Sequence, residues 1–121
     1  MARSLTHAEK TLIRAMITSA KASDPDRLKG SVAWRNWRHD LHNMIDRLSV
    51  GELCDCGKCP SFQLLVDGQE VQPSEDPIIL EAFISEGIVM LFIDDGKPSY
   101  LEIAPNLDVK VDLPRESALI F

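Results

Sequence analysis

Near Gly51 the spacing of apolar residues changes from a helical period to a period of two, which restricts the chain to a helical part followed by a β part. Upstream, Leu12, Ile13, Met16, Ile17 and Ala20 recur at helical intervals and predict a helix over residues 8–22. Thr6-His7-Ala8-Glu9 ahead of it has capping-box spacing, so the Thr6 hydroxyl can accept from a backbone N–H while Glu9 reaches back. Ser23-Asp24-Pro25-Asp26 stops that helix. Trp34, Trp37, Leu41, Met44, Ile45 and Leu48 mark the stripe of a second helix over 32–49, and the two should form a hairpin within residues 1–50. Both tryptophans lie on that stripe, where they serve as core anchors.

Downstream, Phe62, Leu64 and Val66 alternate with Gln63, Leu65 and Asp67, and Asp67-Gly68 supplies a turn before residues 69–71. Residues 78–84 fit either a short helix or a strand. Residues 88–93 read as a buried strand, Asp95-Gly96 is a dipeptide favoured in type I′ turns, and residues 99–103 return antiparallel. Residues 109–113 alternate as a last strand before Pro114. The expectation is a single α+β domain of 121 residues in two layers. A helical hairpin (1–50) packs on an antiparallel sheet of three to five strands (51–121).

Charge is divided along the same boundary. Residues 1–50 carry nine Lys and Arg against five acids, or +4, and residues 51–121 carry four against fourteen, or −10, giving the overall −6. Such an acidic half selects basic partners through complementary fields. The net sign argues against nucleic acid despite the basic helix edge of Arg35, Arg38, His39 and His42. The longest apolar run, residues 88–93, is strand-sized, so no membrane span is expected. The N-terminus goes directly into a helical pattern without a signal peptide's apolar region, and the cysteine count is odd; both point to the cytoplasm.

All three cysteines lie in Cys54-Asp55-Cys56-Gly57-Lys58-Cys59, at the junction of the two parts. Three readings stay open. Cys56 and Cys59 have knuckle spacing for zinc, Cys54 can add a third thiolate, and His42 near the end of the second helix is the candidate fourth ligand. A redox Cys-x-x-Cys opens a helix, whereas here Pro60 leads into a strand. Reduced cysteines also serve as small apolar fillers in a tight turn.

The run from Cys54 to Phe62, with the hairpin Leu91-Phe92-Ile93-Asp94-Asp95-Gly96, Leu101-Glu102-Ile103 and Leu113-Pro114, resembles a group of small bacterial proteins that have a Cys-x-Cys-Gly-x-Cys-Pro-Ser turn. The resemblance covers residues 50–115 and implies a bacterial cytosolic protein without an assigned activity. Their size and acidity are similar in character to the immunity proteins of contact-dependent growth-inhibition systems, an analogy without a shared motif.

Catalytic signatures are missing from the sequence: it has no phosphate loop, no His-Glu-x-x-His and no Gly-x-Ser-x-Gly elbow. The expected function is therefore an acidic cytosolic binding protein, not an enzyme, that neutralises a basic protein partner such as a toxin. Its contacts would come from Glu75, Asp76, Asp94, Asp95 and Glu102, and it would need no cofactor. The alternative is a zinc-binding module built on Cys54, Cys56 and Cys59.

Overall fold

Leu12, Ile13, Met16, Ile17 and Ala20, the first apolar stripe, are wholly buried in the computed structural model, which describes residues 3–23, 37–56, 59–75 and 77–121. They line α1 (His7–Ser19). Both arms of its capping box form: the Glu9 N–H donates to Thr6 Oγ1 (3.1 Å) and the Thr6 N–H to Glu9 Oε1 (2.8 Å). The helix ends earlier than its period predicts because Lys21–Ala22 leave it to form a two-residue strand, β2.

The first half is not purely helical. Arg3–Ser4 form β1, and α2 (Trp37–Met44) passes through a 3-10 turn (Ile45–Arg47) into β3 (Leu48–Leu53). Leu48 lies three residues after Ile45, which fits a helix, but it also alternates with Ser49 ahead of Val50, and β pairing decides. Trp34 and the start of the expected second helix lie outside the described residues. Arg38 on α2 donates to the carbonyls of Ile17 (2.7 Å) and Ala20 (2.8 Å), and so satisfies the C-terminal end of α1. The same guanidinium stacks 4.4 Å from the centre of the Trp37 ring.

The remaining strands are β4 (Phe62–Val66), β5 (Gln69–Glu70), β6 (Ile78–Ile84), β7 (Gly87–Asp94) and β8 (Lys97–Pro105). They complete an antiparallel sheet of eight strands, ordered β1-β3-β4-β8-β7-β6-β2 with β5 paired to β4, in place of the expected three to five. The surplus consists largely of two-residue strands, too short to show a period. The ambiguous segment 78–84 is a strand because all seven of its residues pair with β7, from Ile78↔Ile93 to Ile84↔Gly87.

Residues 109–113 form no strand, although they alternate. On the outer side of β6, β2 pairs with Leu80 and Glu81, and Phe83 exchanges both backbone hydrogen bonds with Ile120. Residues 109–113 pair with neither edge, and of them only Val111 is buried.

One core unites helices and sheet. The inward residues Leu80, Ala82, Val89, Leu91, Leu101 and Ile103 meet the α1 stripe, Leu41 and Ile45. Residues of the opposite sheet face, such as Ile79, Met90, Phe92, Tyr100 and Glu102, stay partly exposed, the α+β two-layer arrangement expected from the change of period.

Candidate metal centre

The cysteines occupy the connection 54–61 between β3 and β4. Two contacts close its base. The Cys54 N–H donates to the Ser61 carbonyl at 2.9 Å. The buried Ser61 hydroxyl accepts from the Ile103 N–H at 2.9 Å and donates to the Ile103 carbonyl at 3.5 Å. This side chain extends the β4–β8 ladder beyond its last backbone pair, Phe62↔Leu101, and pins the end of the connection to β8. The Cys59 N–H donates to Cys56 Sγ at 3.3 Å, which turns both thiols to the same side.

The three Sγ atoms lie within 4.8 Å of one another. Cys56 Sγ and Cys59 Sγ are 3.1 Å apart, well beyond the ~2.05 Å of a disulfide. Around zinc with bonds of about 2.3 Å, tetrahedral thiolates stand about 3.8 Å apart, so this pair needs to open by less than an ångström. The loop thus brings three thiols within reach of a single ion.

A backbone hydrogen bond from Cys56 favours the Cys54 thiolate. The Cys56 and Cys59 thiols and the charge of Cys59 outweigh it, and the Cys54 pKa is raised to about 11. The neighbouring sulfurs thus disfavour a negative charge on Cys54. On the partly exposed sheet face, the Tyr100 pKa is raised first by burial and then by the charges of Cys54, Cys59, Glu102 and Cys56.

Beside the cysteines opens a cleft of about 250 Å³ bounded by Arg3, Glu9, Cys54, Cys59, Ser61 and Phe62. Arg3 holds Glu9 through two 2.7 Å hydrogen bonds, and the Thr6 N–H adds a third donor to the same carboxylate. The Arg3 guanidinium keeps the Glu9 carboxyl below its ordinary value, against the opposing effect of burial. The Thr6–Glu9 half of this network is visible in sequence; Arg3 joins it only because β1 pairs with β3.

His42 is not part of the cluster. It lies on α2, where Nε2 is 3.1 Å from Thr18 Oγ1, and among the described residues the converging ligand atoms belong to the three cysteines alone.

The acidic candidates lie apart from the cysteines in chain order, on the β7–β8 hairpin and the loop before β6. Asp94 accepts from the Ser74 N–H (3.0 Å), the Ser74 hydroxyl (2.9 Å) and the Ser99 hydroxyl (2.6 Å), so it ties residue 74 to the β7–β8 hairpin. Burial opposes its ionisation, but those hydrogen bonds outweigh it and lower its pKa. Asp95 is exposed in the turn, Glu75 is exposed in the preceding loop, and Glu102 is half-buried on β8. Asp76 lies outside the described residues.

Comparison with protein-family models, curated proteins and solved structures finds no match for this chain. No helix of the described residues is long and apolar enough to cross a membrane.

Proposed function

We propose that the protein is a small zinc-binding module in which Cys54, Cys56 and Cys59 hold one zinc ion and brace the connection between β3 and β4. The convergence of three Sγ atoms within 4.8 Å supports this reading. Three converging thiolates suit zinc, which takes sulfur ligands tetrahedrally without demanding more of the protein than distance and charge. The redox reading is weaker, because the residues after Cys59 run into β4 and offer no helix N-terminus to stabilise a thiolate. Protein prepared without a histidine tag should contain about one equivalent of zinc by elemental analysis. Metal content near zero in protein with three reduced thiols would sink the proposal.

A second reading, the acidic binding protein suited to a basic toxin, is favoured by one cross-strand row. Glu81 and Glu102 flank Met90 on the partly exposed sheet face. Carboxylates around an apolar residue match a basic surface with an apolar centre. Association with such a partner should slow as salt rises, because screening acts over about 8 Å at physiological ionic strength. Stopped-flow rates that stay flat across salt would count against it.

A further inference from the structure

A structural zinc ion takes four ligands, and the described residues supply three. Among the described residues, other candidate donors have partners elsewhere. The Glu9 carboxylate is filled by Arg3 and the Thr6 N–H, and His42 faces Thr18. Asp55, although it stands between two of the cysteines, is exposed and outside the group of converging atoms. The cysteines are not sealed in: Cys56 is exposed, Cys54 and Cys59 are partly so. The adjoining cleft of about 250 Å³ exceeds the roughly 30 Å³ share of one water several-fold, so it can admit a side chain.

Charge selects the kind of donor. Zinc(II) with three thiolates carries about −1, within a half of the chain that already carries −10. Arg3 cannot offset more, since Glu9 neutralises it. A fourth thiolate or a carboxylate would raise the negative charge again, whereas a neutral imidazole leaves it unchanged.

Resting on the zinc reading above, we infer that the fourth coordination position of the Cys54–Cys56–Cys59 centre is open and takes an imidazole from outside the chain, a histidine presented by a protein seated against the cleft beside Arg3. The metal then joins two molecules, and partner binding and metal affinity reinforce each other.

Cobalt(II) reports this directly. The full chain is loaded with cobalt at a dilution where it is monomeric, and free imidazole is added. One imidazole per cobalt should bind saturably and shift the d–d bands, while the sulfur-to-cobalt charge-transfer band persists. The shift should survive in the single variants His7→Gln, His39→Gln and His42→Gln, each checked for folding by circular dichroism.

A d–d spectrum indifferent to imidazole, or one that changes in a monomeric histidine variant before imidazole is added, means the chain closes its own site. That overturns the inference while the charge-transfer band still upholds the three-cysteine module. Absence of that band overturns both. Sedimentation of the zinc-loaded protein at high concentration identifies the donor's source. A zinc-dependent dimer lost on His7→Gln or His39→Gln assigns it to a second copy, and a monomer to a different protein.

Discussion

Three connections in the sheet are made with two residues each: Asp67-Gly68 between β4 and β5, Ser85-Glu86 between β6 and β7, and Asp95-Gly96 between β7 and β8. The connection from β3 to β4 joins strands that are equally adjacent and antiparallel, yet runs over residues 54–61. In the two Asp-Gly turns the backbone reverses the chain through left-handed residues, with Asp67, Gly68, Asp95 and Gly96 all at positive φ. The long one is closed at its base by Cys54, Ser61 and Ile103 and brings three thiols together. Its extra length does not serve the reversal, which two residues would achieve. It positions sulfur.

The contrast breaks most visibly if metal removal leaves the protein unaffected. With zinc held at about a thousand times its Kd, chelation should reduce the folding equilibrium constant about a thousandfold, since an ion that binds only the native state stabilises by mass action. Chemical denaturation with and without chelator measures it. Cys56→Ser should abolish stoichiometric binding and with it the chelator effect. Equal denaturation midpoints for the wild type in both conditions would reduce the long connection to an ordinary loop.

The next effect concerns a short turn packed against backbone. A Cβ at Gly87 would lie 2.1 Å from the Ala104 carbonyl oxygen and 2.9 Å from Pro105 Cα. Neither atom can swing aside, so β7 must shift against β8. Gly87→Ala should cost about 2–3 kcal/mol, in the range of overpacked sites, with zinc content unchanged. Loss of metal in this variant would show that the cysteine loop and the β6–β7 turn are coupled, against the separation drawn here.

Sequence made these regions legible to different degrees. The stripe of α1, the capping box, β7 and both Asp-Gly turns are periodic or local signals, and each appears in the fold. The cysteine cluster was visible as spacing, because thiols that close in sequence meet across almost any turn. What sequence concealed depends on long-range pairing. β1 and β2 are too short for a pattern, and residues 109–113 have the alternation of a strand but pair with none. The hydroxyl of Ser61 matters only because Ile103 arrives beside it. Arg3 reaches Glu9 because β1 borders β3. The neighbour of His42 was equally hidden, since Thr18 comes beside its ring only when α2 packs on α1.

Protonation acts on the cysteine loop and not on the glycine turns. Without metal the Cys54 thiol, at about 11, holds its proton more tightly than the ordinary thiol near 8.5. A raised folded-state pKa contributes stability that is complete below the unfolded value and is lost as pH climbs toward 11. Zinc reverses the slope. Binding expels that proton, so affinity should rise about tenfold per pH unit below 11 from this ligand alone. Zinc titrations from pH 6 to 8 check the sign, and affinity that is flat or falling over that range would remove Cys54 from the ligand set.

The smallest effect tests the other side of the contrast. Gly68 and Gly96 have φ of 77° and 74°, and an added Cβ at either would meet nothing within 4 Å. Any cost of alanine there is therefore conformational, arising from the left-handed backbone and not from packing. Gly96→Ala and Gly68→Ala should each destabilise by about 1 kcal/mol. The change should appear in the denaturation midpoint with an unchanged m-value, since neither alters the surface exposed on unfolding. Gly96→Ala should be felt more, because its turn joins two of the longest strands, where a local shift is resisted by eight cross-strand pairs, whereas Gly68 precedes the two-residue β5. If both midpoints stay at the wild-type value, the short turns do not depend on glycine's left-handed conformation, and the distinction between turns closed by backbone and a loop closed by sulfur fails at its simpler end.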